Sequence, residues 1–99
     1  MLDLTGKVAF VAGAGSVGEG WGNGRATAVL MARQGAKVYG VDVSAQALAG
    51  TTAIMEQEGH QGWAARTCDM TASDEVKAAG DGCMERFGRI DILVNNIGG

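Results

Sequence analysis

The sequence has few of the residues that build metal centres or disulfide frameworks. Its two cysteines, Cys68 and Cys83, form no Cys-x-x-Cys pair, and His60 is its one histidine. This set has no spacing that suits a metal ion, so we predict two reduced, buried thiols and no metal site.

Long apolar runs and strong charge are also missing. No stretch approaches the roughly 20 apolar residues that a membrane-spanning helix needs. Residues 1–5 lack the basic region and apolar core of a signal peptide. The formal net charge of −3 gives no reason to expect a nucleic-acid partner. These absences favour a cytoplasmic protein that binds neither membranes nor nucleic acids.

Glycine, in contrast, is abundant, with 17 residues in a chain of 99. Much of the excess lies in residues 13–24, which read GAGSVGEGWGNG. This segment follows an apolar run and precedes a helix-like run that starts near Arg25, and Asp42 ends the next apolar run. Strand, glycine loop, helix, second strand and carboxylate form the order that a dinucleotide site needs.

Apolar runs alternate with helix-like segments along the whole chain. Short and nearly continuous apolar runs, which suit strands buried on both faces, predict strands at residues 7–12 and 90–95. A second strand is predicted at residues 37–43, and residues 63–68 show a weaker strand pattern. Helices are predicted at residues 23–34, 45–58 and 71–87. The order β-α-β-α-β-α-β implies right-handed crossovers and a parallel sheet. We therefore predict one α/β domain over residues 1–99, Rossmann-like and doubly wound but incomplete.

Helix boundaries and helix faces are predicted from local signals. Ser44 is expected to cap the second helix, and Thr71-x-x-Asp74 resembles a capping box at the start of the third. Gly35 is a natural stop for the first helix. In that helix, four residues fall at helical spacing: Ala26, Val29, Leu30 and Arg33.

The start of the first helix is where a diphosphate would bind. The first N–H groups of a helix have no intrahelical partner and carry partial positive charge, so they suit a phosphate. Glycines let the phosphate approach the backbone and supply positive φ. Two arrangements compete: Gly13-x-Gly15-x-x-Gly18, and Gly13 followed by Gly22-Asn23-Gly24. We favour the second, because the first would begin the helix with a poor helix-forming segment.

Two carboxylates are candidates for contacts with an adenosine. Asp42 lies about 20 residues after Gly22, where it could accept both ribose hydroxyl hydrogens and repel a 2′-phosphate. No arginine follows it, so NAD is favoured over NADP; the competing interpretation makes Asp42 a residue that starts the next helix. Asp69 ends the third strand and could receive the adenine amino group, and its spacing fits a turn residue equally well.

These residues resemble the N-terminal half of the short-chain dehydrogenase/reductase family. Gly13, Gly22 and Gly24 match the glycines of its TGxxxGxG loop, with an insertion between them. Asp42 matches the acid that selects NAD, and Asp69-Met70 matches the pair that contacts adenine. Residues 87–98, FGRIDILVNNIG, match the segment that leads into the family's NNAG motif. The resemblance covers essentially the whole chain.

The resemblance implies further site residues, and the sequence departs from the family at two positions. It adds Asn95 and Gly98, from the NNAG-like segment, to the residues that would contact the cofactor. Ala12 stands where the family usually has threonine, and Ile97 replaces the alanine of NNAG. The family's catalytic serine, Tyr-x-x-x-Lys and further asparagine lie beyond the matched region, so no catalytic residue can be named.

The resemblance implies an NAD-dependent oxidoreductase that transfers hydride between nicotinamide and a carbonyl or alcohol. The 99-residue chain would carry the dinucleotide-binding part alone and show no turnover, and a small-molecule substrate would belong to a full-length parent. The alternative is a non-catalytic nucleotide-binding or sensing module. The fourth strand should lie beside the first with its other side open, and this open edge favours homo-oligomers.

Overall fold

The computed structural model describes residues 3–15 and 23–95. The strands are β1 (Val8–Ala12), β2 (Lys37–Asp42), β3 (Trp63–Thr67) and β4 (Ile92–Asn95). The helices are α1 (Asn23–Arg33), α2 (Ala45–Gln57) and α3 (Ser73–Phe87). Strands and helices therefore alternate as predicted, and each boundary lies within two residues of the expected one.

The four strands form one parallel sheet in the order β3-β2-β1-β4. The chain moves outward from β1 through β2 to β3 and then returns to place β4 on the other side of β1. Ala12 at the end of β1 pairs with Val41 of β2 and with Asn95 of β4. The strand order reverses at this point, and ligands of open α/β sheets bind beside such a reversal, at the carboxyl ends of the strands. The α/β, Rossmann-like fold class is confirmed.

β1 and most of β2 are covered on both faces of the sheet, which explains their nearly continuous apolar sequences. β3 and β4 are only half-buried or exposed, so the expectation that the fourth strand is buried on both faces is wrong for the described residues. Side chains alternate between the two faces of a strand, so Ala9 and Val11 of β1 pack under α1 and α2. Val8 and Phe10 of the same strand pack on the other face, with Ala79 and Cys83 of α3. β1 is thus buried along its whole length and holds its carboxyl end in a fixed position.

The buried face of α1 differs from the one that the spacing suggested. Leu30 is 57% exposed, and Ala26 and Arg33 also face solvent. The buried stripe is Arg25, Ala28, Val29 and Ala32. Of the four predicted residues only Val29 is buried, because the helix presents small alanines to the sheet and leaves its bulkier leucine outside.

The helix starts show one correct and one wrong prediction. Ser44 precedes α2, and its Oγ accepts a hydrogen bond from the Ala47 amide at 3.1 Å, as predicted. The capping box at Thr71 and Asp74 is wrong, because α3 begins at Ser73 after Ala72, whose methyl group cannot cap. The Thr71 hydroxyl donates instead to Asp69 Oδ1 at 2.7 Å, which commits it to a turn.

β4 lies beside β1, as predicted, and within the described residues it pairs with no other strand. Its Leu93 side chain is 72% exposed. Association of copies through this edge stays a prediction. In the described part of the chain, no helix is both long and apolar enough to cross a bilayer.

A charged cluster joins the carboxyl-terminal ends of α1 and α2. Arg33 donates to both carboxylate oxygens of Glu58, and its Nε lies 2.9 Å from Oε1. His60 Nε2 lies 2.9 Å from the same Oε1. The hydrogen bonds from Arg33, followed by that from His60, lower the pKa of Glu58 to about 2 from its ordinary 4.5.

This lowered pKa predicts a loss of stability in acid. The ionised Glu58 contributes its stabilisation above pH 4.5, and the contribution disappears as the pH falls toward about 2. When the pH is lowered across this range, the melting temperature of Glu58→Gln should therefore fall less than that of the wild type. Glu56→Gln is the control, because Glu56 is an exposed glutamate in the last turn of α2, two residues before Glu58. Equal pH profiles for wild type and Glu58→Gln would contradict the assignment.

Candidate functional site

The candidate site begins where β1 turns into the glycine loop. Gly13 adopts φ +77°, a left-handed conformation that favours glycine. Its amide and that of Ala14 both donate to the Val41 carbonyl, at 2.8 and 3.0 Å. These bonds tie the start of the loop to β2, so that the chain leaves the sheet at a defined angle.

The first turn of α1 lies directly on the Gly13 carbonyl. A Cβ atom built on Gly24 would lie 1.5 Å from the Gly13 oxygen and 2.6 Å from its carbonyl carbon. Only glycine fits at this contact. α1 begins at Asn23, as in the arrangement that uses Gly13 with Gly22-Asn23-Gly24. Gly22 lies outside the described residues.

The start of α1 therefore meets the carboxyl end of β1 through two residues without side chains, Gly13 and Gly24. The opening N–H groups of an α-helix have no acceptor within the helix. The dipole of the helix adds partial positive charge at the same end. This arrangement can bind an anion such as a phosphate.

Asp42 ends β2 next to this loop. Its Oδ2 accepts a hydrogen bond from the Gly15 amide and its Oδ1 one from the Ser44 amide, both at 3.0 Å. The carboxylate thus bridges the loop and the start of α2. A carboxylate has about four acceptor positions, so two contacts leave it able to accept further hydrogen bonds.

A pocket of about 170 Å³ opens beside Asp42. Its lining comes from the ends of β1, β2 and β3 and the turn that follows β3: Gly13, Asp42, Val43, Cys68, Asp69, Met70 and Thr71. Val43 is 70% exposed at its edge. The pocket offers apolar walls with two carboxylates at its rim.

Asp69 is held in the turn before α3. Its Oδ1 accepts hydrogen bonds from the amide and the hydroxyl of Thr71, at 2.9 and 2.7 Å. The Thr71 hydroxyl, followed by the amide, lowers the pKa of Asp69. Asp69 therefore serves as a turn residue through Oδ1, and its Oδ2 has no bond to the described residues. Oδ2 is thus the oxygen that can accept a hydrogen bond from a ligand.

Sulfur atoms form the floor of the pocket. Cys68 Sγ lies 3.6 Å from Met70 Sδ and 3.5 Å from the Glu75 carbonyl oxygen. Burial raises the pKa of the Cys68 thiol, and it also raises that of Cys83. Both thiols are free and buried, as predicted. The pocket floor is therefore apolar and uncharged.

The remaining predicted residues are placed in part. Asn95 ends β4 and pairs in register with Ala12, which brings it to the same edge of the sheet as Gly13. Gly98 lies outside the described residues. In residues 3–15 and 23–95, no three His, Cys, Asp or Glu side chains gather as metal ligands do.

Two buried polar residues were missed by the sequence analysis. Arg25 and Thr51 lie between α1, α2 and the glycine loop, and Thr51 donates to the Ala14 carbonyl at 2.9 Å. Thr51 belongs to no motif found in the sequence, and Arg25 follows the glycine motif at Gly24 without any signal that it would be buried. A threonine in the middle of a helix and an arginine in its first turn are ordinarily solvent-facing.

Comparison with known proteins places this geometry in a family. A family model described as short chain dehydrogenase matches residues 7–99. The 7alpha-hydroxysteroid dehydrogenase of Escherichia coli K12 is 39% identical over 98 residues, which cover 99% of this chain and 36% of that protein. The chain therefore spans little more than a third of this relative's length.

Solved structures agree with the sequence match. A crystallised short-chain dehydrogenase/reductase from Burkholderia xenovorans superposes with a TM-score of 0.91 at 44% identity, covering 97% of this chain and 38% of that one. Another, from Burkholderia phymatum in complex with NAD, has a TM-score of 0.82 at 34% identity and covers 94% of this chain and 31% of that one. On the family match and these relatives together, the chain belongs to the short-chain dehydrogenase family.

Proposed function

We propose that this chain binds NAD and forms the cofactor-binding part of an oxidoreductase that transfers hydride between nicotinamide and a carbonyl or alcohol substrate. The observation that carries the proposal is the contact of Gly24 with the Gly13 carbonyl, with Asp42 at the end of the neighbouring strand. Together they would bring backbone amides to a diphosphate and a carboxylate to a ribose.

The fit to the diphosphate depends on the missing side chains. A methyl group at position 24 would overlap the Gly13 carbonyl oxygen, so the backbones of loop and helix approach too closely for a side chain between Gly13 and Gly24. A diphosphate would be held by the first amides of α1, including those of Asn23 and Gly24, in the partial positive charge of the helix end. We include Gly22 in this contact from the motif alone.

The fit to the adenosine half depends on Asp42 and the pocket beside it. With two acceptor positions already used by backbone amides, the carboxylate is oriented before a ligand arrives. It would accept hydrogen bonds from the ribose hydroxyls and repel a 2′-phosphate, which favours NAD over NADP. The apolar walls at Val43 and Met70 would face the adenine ring, with Asp69 Oδ2 as acceptor for its amino group.

The nicotinamide half would lie toward β4. Asn95 stands at the carboxyl end of that strand, level with Ala12, and we propose that it and Gly98 border the cofactor there. When bound, NAD supplies the hydride chemistry; the residues of this chain bind and orient it. The NAD in the Burkholderia phymatum structure supports the proposal, as a property of that relative.

Cofactor selection by Asp42 is tested by calorimetric titration with NAD and NADP. Removing a charged acceptor costs about 1.5–3 kcal/mol, so Asp42→Ala should reduce the preference for NAD by about tenfold or more. Asp42→Asn keeps the side-chain volume and guards against misfolding. Asp74→Ala removes an equal charge from the exposed first turn of α3 and should leave the preference unchanged. A wild type that prefers NADP would refute this selection.

The close approach at Gly24 is tested by Gly24→Ala. Because the new methyl group would overlap the Gly13 carbonyl, we expect a loss of about 2 kcal/mol or more in the free energy of unfolding and loss of NAD binding. Gly80→Ala is the matched control, since a Cβ at that helix position meets nothing within 4 Å. It should stabilise the chain slightly through helix propensity. Normal NAD binding by Gly24→Ala would rule out this contact as a cradle.

We also expect the 99-residue chain to bind NAD without turning over an alcohol. Its sequence contains one tyrosine, Tyr39, with Val43 four residues later, and hence no Tyr-x-x-x-Lys pair to act as general acid and base. Absorbance at the wavelength of reduced nicotinamide, followed with a panel of alcohols, measures this directly. Reduction of NAD by this chain would contradict the expectation.

A further inference from the structure

Arg25 and Thr51 are polar side chains buried beneath the glycine loop. Thr51 is fully buried and Arg25 is 8% exposed. Burying a charged guanidinium is costly unless its donors are paired, so a residue of this type in a small core requires a specific reason. Their contacts supply that reason.

The two side chains form a relay that ends on the loop. Arg25 Nε donates to Thr51 Oγ1 at 3.0 Å, and Arg25 Nη2 donates to the Ala47 carbonyl at 3.1 Å. Thr51 Oγ1 in turn donates to the Ala14 carbonyl at 2.9 Å. The hydroxyl is thus an acceptor on one side and a donor on the other, which fixes its rotation.

The relay acts on one peptide group, the one between Ala14 and Gly15. In a planar trans peptide the C=O and the N–H point in opposite directions. Here the carbonyl oxygen of Ala14 is held by Thr51, and the N–H of Gly15 is held by Asp42 Oδ2 at 3.0 Å. Fixing the carbonyl therefore aims the amide at Asp42.

Small residues make room for this relay. A Cβ on Gly50 would lie 2.4 Å from Arg25 Nη2, and a Cβ on Gly15 would lie 2.5 Å from the Ala47 Cβ. Helix α2 thus approaches the Arg25 guanidinium at Gly50, and it approaches the loop at Gly15. The Arg25 guanidinium therefore packs against α2 at a position that has no Cβ atom.

We propose that Arg25 and Thr51 are positioning residues for Asp42. They set the tilt of the Ala14–Gly15 peptide, and through its amide they hold the Asp42 carboxylate in the orientation that receives the ribose. This inference rests on the proposed binding of NAD. The geometry of the relay itself can be measured without any cofactor.

The test compares Thr51→Val, Thr51→Ser and Thr52→Val in the full chain. Valine keeps the shape of threonine and removes the hydroxyl, whereas serine keeps the hydroxyl. Thr52 accepts a hydrogen bond from the Trp63 indole at 2.9 Å, so Thr52→Val removes a comparable bond from the same helix without touching the loop. It is the matched control for a general loss of stability.

The first measurement is amide hydrogen exchange at Gly15, normalised to exchange at Phe10 in the core. We expect Thr51→Val to accelerate exchange at Gly15 about tenfold, with recovery in Thr51→Ser and little change in Thr52→Val. Equal acceleration in Thr51→Val and Thr52→Val, or none in either, would overturn the relay.

The second measurement is the affinity for NAD. Thr51→Val should weaken it about tenfold, Thr51→Ser should restore most of the loss, and Thr52→Val should match the wild type. Unchanged affinity in Thr51→Val, with a wild type that binds, would overturn the inference alone. A wild type that does not bind NAD would overturn the proposed function, and the exchange at Gly15 would still decide whether the relay holds the peptide.

Discussion

The first turn of α1 rests on the Gly13 carbonyl so closely that no side chain fits at position 24. This contact follows from β1, which is buried on both faces and delivers the chain to a left-handed glycine at the edge of the sheet. It places the amides at the start of α1 next to the carboxyl end of β1, where a ligand of this sheet would bind. The rest of the candidate site is arranged around that edge.

Charge at this edge is divided between a helix end and two carboxylates. The start of α1 favours an anion, while Asp42 and Asp69 at the ends of the next strands favour hydrogen-bond donors. A molecule that carries a diphosphate, then hydroxyl groups and then an amino group matches this division. The adenine dinucleotide that we propose as the ligand has that order of groups.

Much of the fold could be predicted because its signals are local and redundant. Apolar runs identified the strands, with the weakest pattern at β3, and Ser44 identified the start of α2. The face of α1 could not be predicted, because a helix with alanines at many positions has no single apolar stripe. Only packing against the sheet decides that Leu30 is outside and Arg25 inside.

The site was predicted less completely, for physical reasons. Glycines and the strand-end Asp42 have positions that follow from the order of elements. Arg25 and Thr51 depend on how closely α2 approaches the loop, and that distance is set by the absence of Cβ atoms at Gly15 and Gly50. The capping box failed because Ala72 directly precedes α3, and Thr71 belongs to the turn before it, where its hydroxyl donates to Asp69 Oδ1.

The most direct measurement is a crystal structure of this chain grown with NAD. We expect the diphosphate against the amides at the start of α1, the adenosine ribose on Asp42, and the adenine in the pocket beside Met70. A diphosphate bound elsewhere on the chain, or an adenine outside that pocket, would contradict the site described above.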